Sequence, residues 1–137
     1  MFDISDLMEY SQHLTLLYVE DDSESRESAY LLLEQLFNKV IIAVDGADGL
    51  EKFKINNIDI IITDLNMPNM NGIAMMEKIK QINNNIPTII LSAHNEKSYM
   101  KESVNLGIIE YIHKPLDMDQ LFEALYNSVK KISINKV

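Results

Sequence analysis

The chain holds 137 residues, room for one domain and not for two. Hydrophobic residues make up 47% and charged ones 24%, a composition that builds a core and excludes a disordered tail. Twelve Lys and Arg against 21 Asp and Glu leave a net charge of −9, which repels phosphate backbones and argues against direct nucleic-acid binding. The absence of Cys excludes disulfides, Cys-ligated zinc and a thiol nucleophile.

The chain opens on a leader, Met1–His13, with acids where a signal peptide would carry positive charge. No apolar run approaches the roughly 18 residues that span a bilayer. A soluble, cytoplasmic protein with no membrane insertion is expected. Leu7, Met8 and Leu14 suit an amphipathic helix packed on the domain, with a disordered lead-in as the alternative.

Beyond the leader, short apolar runs alternate with longer segments of helical period. The runs are Leu14–Val19, Lys39–Val44, Asp59–Thr63, Pro87–Leu91 and Ile108–Ile112. Each is β-branched or Leu-rich and ends in polar residues or Gly, as strands buried on both faces do. Between the first two, Ala29, Leu32, Leu33 and Leu36 follow helical spacing after an acidic, Ser-rich start at Asp22–Ser25. Segment Ala47–Ile55 carries a weaker helical pattern, as does Asn95–Leu106. Met75, Ile79 and Ile82 mark a helix after Gly72, and the last helix opens at Asp117 and buries Leu121, Leu125 and Val129. Five strands alternating with five helices predict an α/β fold, a parallel sheet doubly wound by right-handed βαβ units. The active crevice of such a fold lies at the carboxyl ends of the strands.

The residues just past each run form a short list. Glu20, Asp21 and Asp22 follow the first, Asp64 the third, Ser92 the fourth, and His113, Lys114 and Pro115 the fifth. Singly, each suits its place as a helix cap, a turn residue or a solvated charge. Together they are costly, because two like charges about 4 Å apart repel by roughly 4 kcal/mol at an effective dielectric near 20. A cation relieves that cost. All-oxygen ligands favour a hard ion, Mg²⁺ before Ca²⁺, with Mn²⁺ able to substitute. Such a site leaves coordination open for phosphate oxygens. Lys114 then adds a second positive charge, Ser92 a hydroxyl donor, and Asp64 the nucleophile that takes a phosphoryl group as an acyl phosphate.

Four stretches resemble the receiver domain of two-component response regulators: Leu16–Asp22, Ile60–Gly72, Ile89–Ala93 and Tyr111–Pro115. The resemblance covers roughly Leu14 to Ile132 and divides the chain into a leader (1–13), a receiver domain (14–132) and a tail (133–137). It implies a flavodoxin-like sheet of strand order 2-1-3-4-5. It makes Asp64 the phosphoacceptor, Glu20 and Asp21 the acidic pair for Mg²⁺, and the Asn66 backbone carbonyl a further ligand beside Asp64. Ser92 resembles the switch hydroxyl, Tyr111 the switch aromatic and Lys114 the invariant lysine, whose bond to Pro115 is typically cis in the family. Pro68 and Gly72 shape the loop after the acceptor. Asn66 and His94 occupy positions that tune phosphoryl lifetime, a surface cap being the other reading of His94.

A sensor histidine kinase or phosphotransfer protein is the implied partner upstream, and a protein target downstream. The expected output surface comprises the fourth receiver helix, the fifth strand and the fifth receiver helix. Such a chain assists its own phosphorylation and dephosphorylation only and is no enzyme in the usual sense. It would stand alone or form part of a longer regulator or hybrid kinase. A haloacid-dehalogenase-like phosphatase would need Asp where Asn66 stands and its motif on the first strand. A flavin-binding protein would need a Gly- and hydroxyl-rich phosphate loop in place of Glu20-Asp21-Asp22.

Overall fold

The computed structural model describes residues 3–93, 110–114 and 116–135. The segment expected to be helical at 95–106, His94 and the Lys114–Pro115 bond lie outside the described residues. Five parallel strands, β1 (Thr15–Val19), β2 (Lys39–Ala43), β3 (Ile60–Asp64), β4 (Thr88–Ser92) and β5 (Glu110–His113), form one sheet of order β2-β1-β3-β4-β5. The helices among the described residues are α1 (Ile4–Ser11), α2 (Ser23–Leu33), α3 (Gly46–Ile55), α4 (Gly72–Ile82) and α5 (Met118–Asn135).

Strand alternation splits the core in two. Leu16, Tyr18, Ile60, Ile62, Ile89 and Leu91 pack with Leu33 of α2 and Leu121, Leu125 and Val129 of α5. Leu17, Val19 and Ile61 pack instead with Leu50 and Phe53 of α3 and Met75, Met76 and Ile79 of α4. The central strands are therefore apolar on both faces, which explains why their runs are continuous.

Several details depart from the sequence reading. Strands β3, β4 and β5 each run one residue further, taking in Asp64, Ser92 and His113. Ladder hydrogen bonds join backbones and ignore side-chain polarity, so Asp64 pairs with Leu91 and Ser92 with His113. Leu36 is buried, but in a tight turn beyond α2, where its N–H donates to the Leu33 carbonyl at 3.0 Å. Ile82 is 54% exposed, since it ends α4 where Asn83 leaves helical geometry.

The leader is helical over Ile4–Ser11. Asp3 caps α1, its carboxylate accepting the Ser5 N–H at 3.0 Å. Leu7 is fully buried in the α2/α5 side of the core, while Met8 is 37% exposed. The buried Ser11 hydroxyl donates to the Leu36 carbonyl, and Tyr10 meets Tyr126 of α5 edge to face at 5.9 Å. At the other terminus α5 continues past Ile132 to Asn135, so the expected tail begins as helix. No helix among the described residues is long and apolar enough to cross a membrane.

Candidate functional site at the carboxyl edge of the sheet

Strand order reverses about β1, whose neighbours are β2 and β3, and this opens a crevice at the strand ends. Glu20 extends the β1 backbone, its N–H donating to the Ala43 carbonyl at 3.0 Å, and its side chain is only 1% exposed as a residue. Asp22 turns away to cap α2, accepting the Ser25 N–H at 2.9 Å. That separates the acids: Asp22 serves the helix and Asp21 remains at the rim, exposed. Arg26, one turn into α2, donates to the backbone carbonyls of Glu20 at 2.8 Å and Asp21 at 3.3 Å. The carbonyls of the acidic pair are thereby tied to the first turn of α2.

Asp64 ends β3 at 8% exposure, and one of its carboxylate oxygens accepts the Leu65 N–H at 3.0 Å. Lys114 reaches in from the far side. Its Nζ lies 3.1 Å from Glu20 Oε1 and 3.4 Å from Asp64 Oδ1, and its own N–H donates to the Ser92 carbonyl at 2.7 Å. Oxygens of Glu20, Asp21 and Asp64 lie within 4.8 Å of one another, an all-oxygen group that suits a hard cation.

The electrostatics follow from burial and charge. Burial, then the neighbouring Asp64 charge, push the Glu20 carboxyl above its usual range, with Lys114 partly offsetting both. Burial works against the Lys114 ammonium, but Asp64 and Glu20 outweigh it and hold Lys114 above its usual value. The same acids, after burial itself, raise the Tyr18 phenol.

Ser92 is fully buried at the end of β4. Tyr111 of β5 is half-buried against the cluster of Leu65, Ile73 and Ile90. Its ring meets that of His113 at 5.6 Å and 65°. His113 received no role from sequence, yet positions two apart on a strand share a face. Asn66 is exposed two residues beyond Asp64. Gly72 closes the intervening loop, donating to the Leu65 carbonyl at 2.8 Å. A Cβ there would lie 2.5 Å from the Asp64 carbonyl oxygen, so glycine is required by close approach.

Three residues at or near this rim escaped the sequence reading. Arg26 carries the one local signal, a cation on the first turn of a helix that follows an acidic loop. Asp45 and Asn69, whose side chains join at 2.7 Å, are 24 residues apart and have none.

A family model for the response regulator receiver domain matches residues 16–126. The chain belongs to that family. Chemotaxis protein CheY of Treponema pallidum is 34% identical over 116 residues, which span 82% of this chain and 81% of that protein. Transcriptional regulatory protein ZraR of Salmonella typhimurium is 32% identical over 112 residues, but this chain covers only 25% of it. Among solved structures, the N-terminal domain of an uncharacterized protein from Wolinella succinogenes is 32% identical with a TM-score of 0.82, covering 90% of this chain and 99% of that one. CheY in a CheX-CheY-BeF3-Mg complex from Borrelia burgdorferi is 27% identical with a TM-score of 0.75, covering 83% of this chain and 87% of that one.

Proposed function

We propose that the chain receives a phosphoryl group on Asp64 from a sensor histidine kinase or phosphotransfer protein, with Mg²⁺ bound, and relays it as a change of surface to a downstream protein. The observation that carries this reading is Lys114 Nζ held between Glu20 and Asp64, which with Asp21 form a group of three carboxylates whose oxygens lie within 4.8 Å. A nucleophile, a fixed cation and a hard-ion site share one rim. Glu20, Asp21 and Asp64 would hold Mg²⁺, with the Asn66 carbonyl completing the protein ligands. When bound, the ion supplies positive charge to the oxygens of the transferring phosphoryl group.

The Asp64 carboxylate forms the new O–P bond as the donor's N–P bond breaks, leaving an acyl phosphate and an imidazole that takes up a proton. Lys114, anchored and partly desolvated, attracts the phosphoryl oxygens. Ser92 donates its hydroxyl to one of them. That movement draws the ring of Tyr111, already half-buried beside Leu65, Ile73 and Ile90, further toward the core, which alters the face that includes β5 and α5. The chain turns over no metabolite and is no enzyme in the usual sense.

The relatives are consistent with this: the Borrelia neighbour was crystallised with beryllofluoride and Mg²⁺. The reading is tested with acetyl phosphate and Mg²⁺. Wild type should gain one hydroxylamine-sensitive phosphoryl group and Asp64→Asn none. Equal labelling of the two would move the acceptor elsewhere.

A further inference from the structure

We propose that Asp45 and Asn69 form a brace that positions the loop between β3 and α4 for metal binding, an inference that rests on the reading of Asp64 and Asn66 above. Neither side chain belongs to the carboxylate cluster.

Loop 65–71 is fixed at its root. The Leu65 N–H reaches the Leu91 carbonyl at 2.9 Å, and the Gly72 N–H reaches the Leu65 carbonyl at 2.8 Å. Root bonds alone leave a crest free to pivot. Here the crest is held from the other side by the turn between β2 and α3. Asn69 Nδ2 donates to Asp45 Oδ2 at 2.7 Å, and the Gly46 N–H donates to the Met70 carbonyl at 3.1 Å. A Cβ on Gly46 would collide with that carbonyl, so the two backbones meet only because residue 46 is glycine.

The local backbone at Asn69 is what such a brace would have to maintain. Asn69 sits at φ 69°, and the Met70 N–H reaches back to the Pro68 carbonyl at 2.7 Å. That is a γ-turn of positive φ, an uncommon and strained form. Strain of this kind persists where surrounding contacts over-determine the backbone. The bond from Asp45 is such a contact.

The anchor is itself rigid. Asp45 divides its oxygens: Oδ1 caps α3 by accepting the Asp48 N–H at 2.7 Å, which leaves Oδ2 for Asn69. Asp48 in turn accepts the Val44 N–H at 3.0 Å and pairs with Lys52 at 3.1 Å. Lys52 donates on to the Ile42 carbonyl at 2.7 Å, in β2. With the loop clamped at Leu65 and again at Asn69 and Met70, only Asn66, Met67 and Pro68 lie between, and proline fixes one more angle. The carbonyl of Asn66 is aimed by those clamps.

The test uses the full chain and two readouts, the Mg²⁺ dissociation constant by calorimetry and the labelling rate with acetyl phosphate at subsaturating Mg²⁺. Asn69→Asp sets carboxylate against carboxylate, and the double variant Asp45→Asn/Asn69→Asp rebuilds the bond with donor and acceptor exchanged. Asn69→Asp should weaken Mg²⁺ binding about fivefold or more, the loss of one hydrogen bond to a charged group. It should slow labelling in parallel, and the double variant should recover both to within about twofold. Asn69→Gly keeps the backbone conformation without the donor and should fall between, which covers the case in which Asn69→Asp fails to fold. Melting without metal is recorded alongside, since a purely structural bond would move it and leave Mg²⁺ affinity unchanged.

Wild-type affinity and rate in both single variants would overturn the brace, as would a double variant that recovers neither. Absence of Mg²⁺-dependent labelling at Asp64 in wild type is a separate result and would overturn the functional reading.

Discussion

Asp21→Asn separates repulsion from ligation in one substitution. Among the described residues no cation pairs with the Asp21 carboxylate, whereas Glu20 and Asp64 share Lys114. At the 4.8 Å that bounds the cluster, two unit charges repel by about 0.9 kcal/mol in water and about 3.5 kcal/mol at an effective dielectric of 20. Asp21 is exposed, so the lower figure governs each of its two interactions. Lys114 offsets about one of the two repulsions, so neutralising Asp21 should stabilise the metal-free protein by about 1 kcal/mol at low salt, a rise in Tm of about 3–5 °C. Mg²⁺ at ten times its Kd should stabilise wild type by about 1.4 kcal/mol, and the variant, short of a ligand, should lose most of that gain. Calorimetric melting with chelator and with Mg²⁺, at matched ionic strength, reads both effects. The metal-free advantage should also shrink above about 0.1 M salt, where the screening length is about 10 Å. A variant that melts no higher than wild type without metal, yet keeps the full Mg²⁺ shift, would refute the placement of Asp21 in the site.

Three further outcomes are expected. Leu7→Ala should cost about 2–5 kcal/mol in urea unfolding if α1 is docked as described, against about 0.5 kcal/mol or less for Met8→Ala; equal effects would mean the leader is undocked in solution. Gly72→Ala should destabilise by about 1–3 kcal/mol and slow labelling, because the added carbon forces the loop or the Asp64 backbone to move; a silent substitution would contradict the close approach. Glu20 and Lys114 both have raised values in the fold, so the native state holds protons that the unfolded chain releases. The Glu20 contribution to metal-free stability should therefore be lost as pH rises from about 4.3 through its folded transition, and that of Lys114 as pH rises above about 10.4. Glu20→Gln should flatten the first loss, and an unchanged slope in urea unfolding would assign it to another group.

The architecture was legible because it is written in local pattern. Continuous apolar runs mark strands buried on both faces, and the polar residue that ends each run marks the rim. Glu20, Asp64 and Lys114 could thus be placed together before any coordinate was known. Strand ends were misjudged by one residue because backbone ladders continue through Asp64 and Ser92 whatever their side chains. The resemblance already named Asp21 rather than Asp22 for the ion, and the capping bond from the Ser25 N–H supplies the physical reason that Asp22 turns away. Arg26 acts on carbonyls five and six residues behind it, and Asn69 meets Asp45 across two loops. Neither relation has a period that a single sequence can display.

Partly buried pairs such as Glu20–Lys114 are poor sources of stability, since apolar replacements of similar volume are often neutral or better. What the fold supplies at this rim is restraint. Arg26 holds the carbonyls after β1, Gly72 closes the loop after β3, and the Lys114 N–H fastens the end of β5 to β4. Three carboxylates and one ammonium, ionised, sum to −2, and those backbone ties keep the repulsion from splaying the loops apart. A divalent cation would bring the cluster near neutrality, and a phosphoryl group on Asp64 would then return close to two negative charges. Glu20, itself an anion, cannot answer that change, whereas the Lys114 ammonium has three N–H donors and would turn one toward the phosphoryl oxygens. Ser92 is the neutral hydroxyl at the end of the adjoining strand, and Tyr111 packs in the cluster beneath the acceptor loop. On the proposed reading, charge placed on β3 would be answered on β4 and β5, the side of the sheet away from the braced loops.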